Sequence, residues 1–255
     1  MEKLLVIILI SASFGSFANN IISYFTGRSK FDFARSYCLC GKKRLSFSEL
    51  LPILSYLKLR GKCKSCEMKI PVRYFLVEIL TIVVGILCYH KYGWTIDFII
   101  SFTMYYILLL IGVIDLLTLT IPNKLTSLLF IIVLIKYIDN PAGILPNFVL
   151  AISLLVILSF TNIIAAKVIN KNVIGFGDIK LLFVLFLIFQ FPMSLMALWI
   201  SSILGITVYA IIRQFNFISS KQKLIPFGLF LSIGFVIVDQ IGAEILNTYL
   251  LINNG

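Results

Sequence analysis

Histidine is nearly absent from this 255-residue chain, with His90 its sole example. A histidine-based nucleophile triad or a catalytic zinc held on imidazoles would need that one ring beside its partners. His90 instead closes an apolar run, away from the other candidate groups, and reads as an interfacial residue. Charge is also scarce, at 13% of residues against about 25% in an average soluble domain. With 60% hydrophobic residues and a mean hydropathy of +1.04, a soluble globular domain is excluded. Acidic residues are the rarer sign, 11 against 22 basic, for a net charge of +11. In a soluble chain such a balance points to nucleic acid, but basic residues also set membrane orientation, so their distribution decides.

What the chain does have is long apolar runs. The first, Leu4 to Phe25, follows Lys3 and contains Ser11, Ala12, Ser13, Gly15 and Ser16. A signal peptide is the alternative, yet the start is weakly basic, the run is long, and its small residues sit mid-run instead of at a cleavage site. We read a retained span whose small residues pack against another helix. Further spans are expected at about Val72 to His90, Thr95 to Leu116, Lys124 to Ile138, Pro146 to Val168, Ile179 to Phe191, Met193 to Arg213 and Ile225 to Leu246. The expectation is an all-α polytopic bundle of about eight spans. The fourth and sixth are short for a hydrocarbon core of about 30 Å, which allows a tilted, partly embedded or broken helix there.

One sizeable polar stretch interrupts the runs. Between Arg28 and Arg73 lie 12 of the 22 basic residues against three acidic ones, together with Cys38, Cys40, Cys63 and Cys66. The chain therefore divides into a first span (1–25), a cysteine subdomain (26–71) and a transmembrane bundle (72–255). If the subdomain is cytoplasmic, 19 basic residues lie inside and only Lys3, Lys91 and Lys136 outside. The positive-inside rule then puts the termini outside and the cysteines in the cytoplasm. The basic stretch meets lipid headgroups or a partner protein, and no nucleic acid is implied. In a reducing cytoplasm paired cysteines favour metal over disulfides. Cys63-Lys64-Ser65-Cys66 has zinc-knuckle spacing, while Cys38-Leu39-Cys40 is tighter; structural zinc on these four cysteines is the preferred reading, with reduced thiols the alternative. Cys88, within an apolar run, reads as a small buried residue.

Two aspartates stand at the ends of apolar runs. Asp178 follows Gly175-Phe176-Gly177 and precedes a run whose only charge is Lys180; Asp115 ends Gly112-Val113-Ile114 just before Ile121-Pro122-Asn123. The expected topology puts both at the cytoplasmic face. An ionisable group at such a depth is a functional hypothesis by default, and two unrelated boundary aspartates are the bland alternative. If they meet, they share a proton, because neighbouring carboxylates cannot both ionise readily. The ionised member can then deprotonate water while the protonated one polarises a carbonyl, which hydrolyses a peptide bond without metal. Asp239 and Glu244 fall toward the opposite end of the last run and read as solvated interfacial residues.

Six elements in order give the chain a family resemblance. They are Gly15-Ser16-Phe17-Ala18-Asn19; Cys38-Leu39-Cys40-Gly41 with Leu51-Pro52-Ile53-Leu54-Ser55-Tyr56 and Cys63-Lys64-Ser65-Cys66; Arg73-Tyr74-Phe75-Leu76-Val77-Glu78; Asp115 with Ile121-Pro122; Gly175-Phe176-Gly177-Asp178-Ile179-Lys180; and Pro226-Phe227-Gly228. Together they resemble type IV prepilin peptidases, integral-membrane aspartic endopeptidases that process prepilins, type II secretion pseudopilins and competence pseudopilins. The resemblance implies that Asp115 and Asp178 form the catalytic pair. Gly175, Gly177, Lys180, Pro122 and Glu78 are expected to bind substrate or support the site. It implies cleavage at the membrane junction, typically between glycine and a phenylalanine-like residue, at the bacterial inner membrane. Many members also methylate the new N-terminus from S-adenosylmethionine, an activity associated with the cysteine domain. Here Cys38-Leu39-Cys40 is one residue shorter than the usual gap, and Asn123 stands where aspartate often follows the proline.

Two rivals remain. A small secondary transporter could use the aspartates for protons or cations, but it would hold them near the midplane and show internal repeats, which the sequence lacks. A non-catalytic membrane scaffold leaves both aspartates without a task.

Overall fold

The computed structural model describes residues 2–27, 51–64, 66–138, 141–169, 174–189, 191–214 and 225–253. Apart from turns, a 3-10 helix at Pro141–Gly143 and an isolated bridge between Lys62 and Lys69, they form α-helices: α1 (Glu2–Phe25), the short α2 (Leu54–Lys58), α3 (Val72–Tyr92), α4 (Ile96–Thr118), α5 (Asn123–Lys136), α6 (Ile144–Ile169), α7 (Phe176–Phe186), α8 (Met193–Gln214) and α9 (Phe227–Asn253). Among the described residues, six are long and apolar enough to cross a bilayer: α1, α3, α4, α6, α8 and α9. The expected eight spans are thus corrected to six. The two that drop out are those already short in sequence, α5 with 14 residues and α7 with 11. At 1.5 Å per residue they reach only about 21 and 16 Å.

The chain divides into two compact units, Met1–Phe102 and Thr103–Gly255. In the first, α1 packs antiparallel to α3 along Ile7, Ser11, Gly15, Ala18 and Ile22, all buried. The fit is close enough that a Cβ on Gly15 would fall 2.7 Å from the Glu78 Cα. The small residues of the first run therefore do pack against a helix. Lipid offers no hydrophobic drive for association, so close van der Waals contact and hydrogen bonds must hold the pair. Asn19 supplies one bond, its Nδ2 donating to the Tyr74 carbonyl at 3.0 Å.

The second unit holds the remainder of α4 with α5 to α9. Helix α9 runs antiparallel to α4, with Leu229 and Ser232 against Gly112 and Asp239 accepting a hydrogen bond from the Tyr105 hydroxyl. Asp239 is therefore a helix-to-helix acceptor and not merely a solvated interfacial residue. Helices α5 and α7 run parallel, since Asn123 meets Lys180 at their starts and Tyr137 meets the Leu187 carbonyl beyond their ends. Helix α6 returns between those ends. Much of its apolar surface is exposed, as at Val149, Val156, Phe160 and Ile163, yet it buries Asn147 and Asn162.

Candidate active site

Asp115 lies in the last turn of α4, 4% exposed. Its carboxylate accepts hydrogen bonds from the backbone amides of Gly228 and Leu229. Those residues open α9, which starts after Pro226, and the first amides of a helix have no intrahelical acceptor. Asp115 thus satisfies donors that α9 would otherwise leave bare, and the positive end of the α9 dipole faces the carboxylate. Asp115 Oδ2 is buried and has no hydrogen-bond partner among the described residues. A Cβ at Gly228 would stand 3.0 Å from that oxygen. The proline-phenylalanine-glycine element therefore has a local reason: it brings bare amides onto the aspartate with no side chain in the way.

Asp178 occupies the first turn of α7. Its carboxylate folds back over Gly175, where a Cβ would come within 2.8 Å of Oδ2. Gly175 has φ −65° and ψ 137°, an ordinary extended backbone, so space for the carboxylate and not conformational freedom calls for glycine. Gly177 is packed instead, its hydrogens facing the Ile121 side chain, which would lie 3.1 Å from an added Cβ. Ile121 also borders Gly228, so one isoleucine side chain joins the loop after α4, the start of α7 and the start of α9.

Asp115 and Asp178 come within electrostatic reach of each other. Asp178 lies outside the six spanning helices, and burial, followed by the Asp115 charge, pushes its carboxyl up to about 6. Of the expected supporting residues, Pro122 caps α5 and the exposed Lys180 donates to Asn123 Oδ1 at 3.2 Å. Asn123 thus keeps a bond to the lysine without the negative charge an aspartate would add. Glu78 belongs to the first unit and is buried on α3. It accepts the Ile53 amide at 2.7 Å, anchoring the leucine-proline-isoleucine-leucine stretch at a residue with φ +62°.

The cysteine segment is described in part. Cys63 opens, and Cys66 lies within, a tight turn in which the Cys63 amide donates to the Met68 carbonyl and the Glu67 amide to the Cys63 carbonyl, each at 2.9 Å. Lys62 and Lys69 bridge antiparallel, and Glu67 adopts φ +55°. Cys63 is buried and Cys66 partly so, and their two-residue gap is the spacing of half a tetrahedral thiolate site. Cys38 and Cys40 lie outside the described residues. Among those described, no cluster of three histidine, cysteine or acidic residues is placed to hold a metal.

Three polar residues escape sequence reading: Tyr137 and Asn147, which meet the Leu187 carbonyl at the end of α7, and Asn162, which pairs with Ile174 just before α7. The available signal was an asparagine in a strongly apolar run, where an amide must find a partner.

Membrane-length helices with two interacting carboxylates at the ends of α4 and α7 define a polytopic membrane protein with an acidic paired site. Comparison with known proteins then gives the family. Residues 9–92 match the bacterial peptidase A24 N-terminal domain, and residues 102–211 match the type IV leader peptidase family. A prepilin leader peptidase/N-methyltransferase of Vibrio cholerae is 31% identical over 183 residues, covering 68% of this chain and 72% of the relative. One of Legionella pneumophila is 33% identical over 219 residues, covering 85% and 75% respectively. One of Bacillus subtilis is 26% identical over 221 residues, covering 85% of each. The chain belongs to the type IV prepilin leader peptidase family. No solved structure matches it. The transporter reading gains no support from these relatives.

Proposed function

We propose that Asp115 and Asp178 are the catalytic pair of this membrane prepilin leader peptidase. The observation that carries the assignment is that the two carboxyls lie within electrostatic reach, Asp178 being pushed up to about 6 by burial and then by the Asp115 charge. At neutral pH such a pair retains a proton far more readily than separate carboxylates near 4 would. Asp115, with two amide donors from α9, is the better carrier of the negative charge, and Asp178 the better holder of the proton. In the forward step Asp115 takes a proton from water as its oxygen attacks the scissile carbonyl. Asp178 gives its proton to the carbonyl oxygen, which becomes a hydroxyl of the tetrahedral gem-diol, and is left as a carboxylate. Collapse of the tetrahedral intermediate expels the mature N-terminus as an amine, which receives the proton from Asp115, while one hydroxyl returns its proton to Asp178 and becomes the carbonyl of the new carboxyl group.

The substrate is a prepilin or pseudopilin, its basic leader in the cytoplasm and its apolar helix in the bilayer. The chain is expected in the bacterial inner membrane with the pair and the cysteine subdomain (26–71) facing the cytoplasm, in keeping with the clustering of 12 basic residues between Arg28 and Arg73. Methylation of the new N-terminus fits the relatives' names, and S-adenosylmethionine would supply the methyl group. Structural zinc on Cys63, Cys66, Cys38 and Cys40 fits the hairpin at Cys63–Cys66. The test is prepilin conversion on a gel in membranes carrying Asp115→Asn or Asp178→Asn. Both variants, at unchanged protein level, should leave the long band uncut; cleavage surviving in either would overturn the pair.

A further inference from the structure

Helix α6 buries two asparagines, Asn147 at 2% exposure and Asn162 at 3%, on a helix whose apolar residues largely face outward. Both reach the chain flanking α7, but at opposite ends. Asn162 Nδ2 donates to the Ile174 carbonyl at 2.8 Å, and its Oδ1 accepts the Ile174 amide at 2.9 Å. One planar carboxamide thus pairs both polar groups of a single residue, fixing the position and orientation of the backbone there. Asn147 contacts the Leu187 carbonyl at 3.3 Å and the Tyr137 hydroxyl, beyond the far end of α7. The 15-residue step from Asn147 to Asn162 along α6 spans about 22 Å.

We propose that Asn162 is a positioning residue that sets Asp178 against Asp115 by clamping the backbone at Ile174. The inference rests on the aspartate pair proposed above. Ile174 precedes Gly175-Phe176-Gly177-Asp178, and its backbone lies outside any helix. Gly175 has no side chain to brace this link, and the Asp178 carboxylate lies back over it. A shift at residue 174 therefore passes directly to the reacting oxygens. Misplacement by about 1 Å can cost about 100-fold in rate. Asn147 performs an equivalent bond far from the aspartates, so the two asparagines separate positioning from simple helix anchorage.

The experiment measures kcat and KM in purified, detergent-solubilised enzyme. Its substrate is a prepilin with a basic leader, glycine before the scissile bond and phenylalanine after it. Asn162→Ala is expected to lower kcat by about 10- to 100-fold with KM within about twofold, and Asn162→Ser, which keeps one hydroxyl, to fall between it and wild type. Asn147→Ala should lower the thermal midpoint while leaving kcat within about twofold. Wild-type kcat in both Asn162 variants, or equal kcat losses in Asn162→Ala and Asn147→Ala, overturns the proposal. Should Asn162→Ala not fold, the serine variant decides by the same criteria. Asp178→Asn runs alongside: if it cleaves, the aspartate pair itself fails; if it is inactive while the Asn162 variants are normal, only the clamp fails.

Discussion

At the residue scale, Asp178 combines function with a cost to the fold. Its carboxyl titrates at about 6 in the folded chain against about 3.9 in an unfolded one. The folded state therefore binds the proton more tightly, so this contribution is fully present below about pH 4 and is lost as pH rises through 6. Asp178→Asn removes the ionisable group. It should raise the thermal midpoint relative to wild type at pH 8, with the difference shrinking at pH 4 to 5, while abolishing cleavage; thermal unfolding in detergent across that range tests the sign. Gly228 carries a second prediction. An added Cβ would press on Asp115 Oδ2 and Ile121 Cδ1, each at 3.0 Å, so Gly228→Ala should lower kcat by about tenfold or more through displacement of Asp115, measured with KM on the same prepilin. Both aspartates were legible in sequence because a charge at the edge of an apolar run is conspicuous. The reasons for Gly175 and Gly228 were not, since each glycine makes room for an atom that sequence cannot place: its own neighbour's carboxylate in one case, and an aspartate over a hundred residues away in the other.

At the scale of elements, the short α5 and α7 decide how the site is built. Their lengths were readable in the sequence, but counting apolar runs as spans gave eight where, among the described residues, six helices are long enough to cross. A run shows that a segment avoids water, not that it bridges a bilayer. Ending a helix inside an apolar layer leaves its last carbonyls without water. Tyr137 and Asn147 answer that need at Leu187, and Asp115 answers the converse need at the amides opening α9. Tyr137→Phe keeps the ring and removes the donor, so it should cost about 1 kcal/mol of stability. Backbone amides near the end of α7 should exchange faster while those of α1 and α3 do not change, a pattern that hydrogen exchange by mass spectrometry resolves. Neither terminus partner was evident from periodicity, because each lies on a different helix from the group it satisfies.

At the scale of the molecule, the proposed chemistry divides along the chain. The structural division falls between Phe102 and Thr103, and the second family match begins at residue 102 after the first has ended at 92. Both aspartates, and all the groups found to position them, belong to the second unit. Cys63, Cys66 and the Glu78 anchor belong to the first. Hydrolysis by two carboxylates has no step for a thiolate-bound metal, whereas zinc, if held by the proposed cysteines, would stabilise the local fold of a small polar segment. Replacing Cys63 and Cys66 with serine should therefore strip bound zinc, measured by elemental analysis of the purified protein. In that variant intact-mass measurement should find pilin cut at the normal junction but lacking the added methyl group. The converse variant, Asp115→Asn, should leave prepilin uncut yet methylate a pilin supplied already mature. Loss of cleavage together with zinc would instead make the cysteine hairpin a requirement of the peptidase, and the two units would then have to be treated as one catalytic machine.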